Sequence, residues 1–146
     1  MTETVRGFAL DTGDVLAPRA TFEEGVVYGV AGDAPRDERL EPHVTVTWLE
    51  EPPGVTLDDV VREDLPRMLS RPETVLLDRE PASLAGLESV RTFVAALGPS
   101  GVPVASEQWR TLAGGRRWTL TATTTLADQP AWGPRLAAVV TTFQPG

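Results

Sequence analysis

The chain has 146 residues, of which 13 are arginine, none lysine, 21 acidic, one histidine and none cysteine, for a formal charge of −8 at pH 7. That composition excludes disulfides, thiolate catalysis and cysteine-ligated zinc, and the acidic balance argues against nucleic acid, whose phosphates recruit basic surfaces. With 41% hydrophobic residues and a length that buries roughly 68–70% of the unfolded surface, one domain over residues 1–146 with a substantial core is expected.

The first readable element is a weakly alternating strand over Phe22–Val30, with Val26, Tyr28 and Val30 on one side. The polar stretch Ala31–Pro42 reads as a loop. The run HVTVTWLE then alternates cleanly, Val44, Val46 and Trp48 against His43, Thr45 and Thr47, which is the period of a half-buried strand. Pro52, Pro53 and Gly54 stop it, and Thr56 with Asp59 three residues later forms a capping-box pattern. The helix so opened carries Leu57, Val60, Val61, Leu65, Met68 and Leu69 as one stripe, with a kink or restart expected at Pro66.

From Glu73 the period changes to that of strands: ETVLLDRE, LESVRTFVAALG, VPVASEQWRTL and RRWTLTATTTL, separated by PASLAG, PSG and AGG. A two-residue turn at Gly114–Gly115 would set Thr111 opposite Trp118 and Trp109 opposite Leu120. Trp109, Trp118, Leu120 and Ala122 then share one face, while Ser106, Gln108, Arg110, Arg117, Thr119, Thr121, Thr123 and Thr125 share the other. A terminal helix over residues 128–143 is predicted with Asp128 as cap, Pro130 in the first turn, and Trp132, Leu136, Val139, Val140 and Phe143 at helical spacing. The order predicts an α+β domain: a mainly antiparallel sheet of about six to seven strands with two principal helices packed against it.

The groups that could carry chemistry are few. His43 is the one imidazole, so a Ser-His-Asp hydrolase would have to use it, and no GxSxG elbow is present. The pairs Glu23–Glu24, Glu50–Glu51, Asp58–Asp59 and Glu63–Asp64 lack the spacing of a calcium loop and read as solvated charge, so no metal site is expected. Trp48, Trp109, Trp118 and Trp132 lie on inferred core faces. Arg110, Arg116 and Arg117 cluster near the glycine turn, where they could clasp an anion or carboxylate or simply solubilise a hairpin tip. The polar face with Thr119, Thr121 and Thr123 is the candidate binding surface, with solvated threonine as the plain alternative.

The second half of the chain, from ETVLLDRE through the small turn at Leu84–Gly86, the strand ending at Gly98, the strand containing Gln108, the WTLTAT strand and the helix finishing near Phe143, resembles the PsbP-like fold. That fold is shared by the photosystem II extrinsic protein, a Ran-binding nuclear import factor, DcrB-like bacterial proteins, LpqN-type lipoproteins and Eag-type chaperones. The resemblance implies an adaptor or chaperone-like protein and not an enzyme, with a protein partner, a possible link to secretion, a possible homodimer and no cofactor. The candidate binding residues are Arg110, Arg117, Thr119, Thr121 and Thr123. A small-molecule or lipid carrier is the alternative, requiring an apolar pocket between the helix at Thr56–Ser70 and the sheet. No apolar run approaches the roughly 18–20 residues that span a bilayer. The opening MTETVRGFALDTGD lacks the basic and apolar regions of a leader, so a cytoplasmic location is expected.

Overall fold

The computed structural model describes residues 7–31, 40–98 and 101–146, and the backbone alone of residues 2–5. Its chain order is β1 (Thr2–Val5), β2 (Phe8–Asp11), β3 (Leu16–Phe22), β4 (Gly25–Val30), β5 (His43–Glu50), α1 (Leu57–Leu69), β6 (Thr74–Leu84), β7 (Leu87–Leu97), β8 (Pro103–Ala113), β9 (Arg116–Thr125), α2 (Gln129–Val140) and β10 (Gln144–Pro145). Seven strands form one antiparallel sheet in the order β3-β4-β5-β9-β8-β7-β6, and β1, β2 and β10 form a second sheet of three. The α+β class, the strand number and the two packed helices are those the sequence predicts. Most of the loop expected at Ala31–Pro42, and part of the PSG turn, lie outside the described residues.

The glycine-turned hairpin has the predicted register: Thr111 pairs with Trp118, and Trp109 with Leu120. Gly114 and Gly115 both hold positive φ, 60° and 76°, the pair of left-handed residues that a tight hairpin turn demands and that glycine adopts without a Cβ penalty. By contrast β6 does not stop before PASLAG but runs to Leu84, with Pro81 opposite Val90. Pro81 is tolerated because β6 is an edge strand, where a missing donor breaks no ladder. The opposite edge, β3, also contains a proline, Pro18. Both edges carry a register shift, at Leu76/Asp78 and Pro18/Ala20, a combination that blunts edge-to-edge association.

Side chains of directly paired residues stand on the same face of the sheet, so the register divides the sheet into two sides. On the first side Val26, Tyr28, Val44, Val46, Trp48, Trp118, Leu120 and Trp109 are buried beneath α2 and the small sheet. Phe8 and Phe143 close this core: ring centroids lie 5.7 Å apart for Phe8–Trp118, 5.2 Å for Trp118–Phe143 and 5.6 Å for Trp48–Trp118. These are the tilted and edge-on spacings aromatic rings favour. The expected core placement of Trp48, Trp109 and Trp118 therefore holds. Phe8 and Leu10 come from an N-terminal segment too short and irregular to announce itself as strand, and β2 holds them there by pairing with β1 and β10.

The first helix starts as predicted, and the departures are its course through Pro66 and the two ends of α2. Thr56 caps α1 as a capping box, its Oγ1 accepting from the Asp59 backbone N–H while the Asp59 carboxylate accepts from the Thr56 N–H. The helix continues through Pro66 to Leu69. Pro66 has no backbone N–H, so the Arg62 carbonyl one turn earlier loses its helical donor. Asp128 precedes α2 without making a side-chain cap; Pro130 in the first turn sets the start instead. Phe143 lies beyond the end of α2, reached through a turn at Thr141–Thr142, and still points into the core. Among the described residues no helix is long and apolar enough to cross a membrane.

Candidate functional site

The second side of the sheet is polar where α1 does not cover it. Register places His43, Thr123, Ser106 and Val94 in one cross-strand row, Thr45, Thr121, Gln108 and Thr92 in the next, and Thr47, Thr119, Arg110 and Val90 in the third. The rows exist because TVT on β5 and TLTAT on β9 alternate in phase, so threonine lands opposite threonine. Thr45, Thr47, Thr119, Thr121 and Thr123 are all half-buried. Thr47 donates to the Thr119 carbonyl at 3.3 Å, and the Ser106 and Thr123 hydroxyls lie 3.4 Å apart. The hydroxyls of Thr45, Thr119 and Thr121 make no side-chain hydrogen bond to any described residue. A grid of donors and acceptors thus faces outward with capacity unspent.

One edge of this grid is charged, and there the structure revises the sequence reading. Arg110 and Arg117 are 5% and 6% exposed, and both guanidinium groups are already engaged by carboxylates at the C-terminal half of α1. Arg110 Nε donates to Asp64 Oδ2 at 3.1 Å, Nη1 to Thr92 at 3.2 Å and Nη2 to Gln108 at 2.6 Å. Arg117 donates from Nη1 to Asp64 Oδ1 at 2.8 Å and from Nη2 to Glu63 at 3.0 Å. Its Nε is 2.5 Å from Glu51 but not aligned for a hydrogen bond. Asp64 therefore bridges both arginines. Of the pairs Glu50–Glu51 and Glu63–Asp64, expected as solvated charge, Glu51 and Asp64 are internal counter-ions with side-chain exposures of 12% and 17%, while Glu63 reaches Arg117 from an exposed position.

The electrostatics follow from this packing. Burial pulls the Arg110 pKa below its ordinary value, and attraction to Asp64 offsets only part of that. Burial acts on Arg117 in the same direction, but its hydrogen bond to Glu63 and the charges of Asp64 and Glu51 prevail and raise it. The Glu63 carboxyl is held below its usual range, first by the Arg117 hydrogen bond and charge. Arg116, the third arginine near the turn, pairs with Glu50 at 3.2 Å and lies over the Trp118 ring.

His43 sits in the same grid. Its Nδ1 is 2.8 Å from the Glu41 carbonyl oxygen, which can only accept, so Nδ1 carries a proton. Thr123 and Ser106 share its row, while no described carboxylate hydrogen-bonds the ring. The geometry therefore offers hydrogen bonding across a broad polar face, and among the described residues no carboxylate orients the ring as in a Ser-His-Asp arrangement. The interface of α1 with the sheet holds Asp64, Arg110 and Arg117.

This architecture, a seven-stranded antiparallel sheet with one helix on each side, is the PsbP-like fold. A Pseudomonas aeruginosa protein of unknown function matches with a TM-score of 0.70 at 16% identity, over 90% of this chain and 98% of that one. LpqN of Mycobacterium tuberculosis, involved in cell envelope biogenesis, matches at 0.68 and 16% identity, over 94% and 83%. Cyanobacterial PsbP from a Synechocystis species matches at 0.60 and 14% identity, over 96% of this chain and 87% of that one. No family model and no curated protein matches the chain.

Proposed function

We propose that this chain is a non-enzymatic, cytoplasmic, protein-binding adaptor or chaperone-like protein whose threonine face receives the partner. The observation that carries the reading is the half-buried grid of Thr45, Thr47, Thr119, Thr121 and Thr123, in which the hydroxyls of Thr45, Thr119 and Thr121 make no hydrogen bond to a described residue. A flat sheet face of this kind can hydrogen-bond a protein surface without a deep pocket, and its β-branched side chains lose little freedom on contact. Arg110 and Arg117 serve this face as a rigid border fixed by α1 and not as free anion hooks. The likeness to PsbP-like proteins supports a scaffold for association, by analogy of fold alone.

The test places a photo-cross-linking amino acid at Thr121 in the native host and compares it with the same group at Arg62, an exposed position on α1. A defined protein adduct from position 121, absent from 62 and lost in Thr119→Glu/Thr123→Glu, is the expected result. No adduct from position 121 overturns the threonine face as the docking surface.

A further inference from the structure

On the first side of the sheet, away from the aromatic core, the register sets a second surface. Val75, Ala95 and Ala105 form one cross-strand row, and Leu97 and Pro103 the next, extended by Leu126, whose backbone N–H donates to the Pro103 carbonyl. Val75, Leu97 and Leu126 are 56%, 49% and 45% exposed, and Leu77 in the adjacent bulge is 53% exposed. Scattered exposed leucines are ordinary, but several gathered at one end of a sheet make a contiguous apolar patch of the kind that marks an interaction site.

The row beneath decides what the patch fits. Asp78, Phe93 and Glu107 lie side by side, with Glu80 and Arg91 one row further on. Arg91 lies over the Phe93 ring and collects all three carboxylates, Glu107 at 2.8 Å, Asp78 at 3.2 Å and Glu80 at 3.3 Å. Three acids against one guanidinium leave the rim negative, and Asp78 and Glu80 keep more than half of their side-chain surface in water. A two-fold contact centred here would set these carboxylates against their own copies.

We propose that this apolar patch and its acidic rim dock a basic amphipathic segment of a partner protein, aliphatic side chains against Val75, Leu97 and Leu126 and a lysine or arginine beside Asp78 and Glu80. The surface is on the opposite side of the sheet from the threonine face, so each reading stands or falls on its own experiment. The probe is a labelled amphipathic helical peptide of leucine and lysine, titrated by fluorescence anisotropy, with a leucine–glutamate peptide of the same pattern as its counterpart. The near-ultraviolet circular dichroism of the tryptophan cluster confirms that each variant stays folded. Binding of the lysine peptide is expected to weaken by about tenfold or more in Leu97→Ser/Leu126→Ser and also in Asp78→Asn/Glu80→Gln. It is expected to hold in Asp14→Asn/Glu88→Gln, which removes the same charge elsewhere, and the glutamate peptide is expected not to bind. Unchanged affinity in the leucine variant overturns the proposal, as does an equal loss in the remote acidic variant or equal binding of the glutamate peptide. A wild-type dimer in sedimentation that Leu97→Ser/Leu126→Ser dissolves would assign the patch to a second copy instead and overturn it too.

Discussion

The two helices lie on opposite sides of one sheet and are held there by different physics. α2 buries Leu136, Val139 and Val140 against Trp118, Trp48, Phe8 and Phe143, an apolar contact that depends on close packing and tolerates few voids. α1 buries only Val60 and Val61, and its attachment relies on Asp64 and Glu63 reaching Arg110 and Arg117. The contrast shows that a short helix with a shallow apolar stripe can be fixed to a polar sheet face by a few desolvated ion pairs. Such a contact is specific but demanding, since each buried charge needs its partner.

The largest way to break this comparison is on the apolar side. Trp118→Ala empties the centre of the ring cluster and is expected to cost about 3–5 kcal/mol, read as a fall in the urea midpoint with the slope unchanged. On the other side, Asp64→Leu strands the buried Arg110 guanidinium and leaves Arg117 with Glu51 and Glu63 only, and it is expected to cost about 3 kcal/mol. Arg110→Met in the same background should recover much of that loss, which no apolar contact around Trp118 could show; no recovery would mean that α1 is held by packing after all.

Acid sharpens the difference next. Glu63 and Asp59 both titrate below their ordinary values in the folded chain, Glu63 through Arg117 and Asp59 through the Thr56 hydrogen bonds. A depressed folded pKa contributes stability that is complete above the unfolded value, 4.5 for Glu63 and 3.8 for Asp59, and that is lost as pH falls further through the folded value. Thermal melts from pH 6 downward should therefore show a decline beginning near those values, shallower in Glu63→Gln. A smaller effect, about 1 kcal/mol, is expected for Thr56→Ala, which removes the α1 cap, followed by denaturant titration. Smallest, and of opposite sign, is Ala85→Asn: Ala85 holds a φ of 55° in the β6–β7 turn, and a residue at home in the left-handed region should stabilise by up to about 1 kcal/mol.

Much of this was legible from local pattern. The hairpin register followed from two glycines and strict alternation, which put Thr119, Thr121 and Thr123 on one face, whereas the place of TVT beside them depends on the pairing of β5 with β9. The partners of Arg110 and Arg117 were not legible, because Glu63 and Asp64 look like any exposed pair on a helix until its position on the sheet brings them to residues more than 40 positions away. Phe8 was missed for a related reason: its strand is only four residues long and is stabilised by β1 and by β10 from the other end of the chain.

Length, charge and period by themselves determined the α+β class, the capped first helix, the strand pairing around Gly114–Gly115 and the faces of Trp48, Trp109, Trp118, Thr119, Thr121 and Thr123. Those features depend on neighbours within a few residues, or on alternation, which a sequence displays directly. Tertiary structure alone decided that β6 runs on through Pro81 as an edge strand, that the acids of α1 neutralise the arginines, and that Val75, Leu97 and Leu126 meet at one uncovered end of the sheet. Each of these depends on which strands become neighbours, and that is settled by the packing of the whole chain.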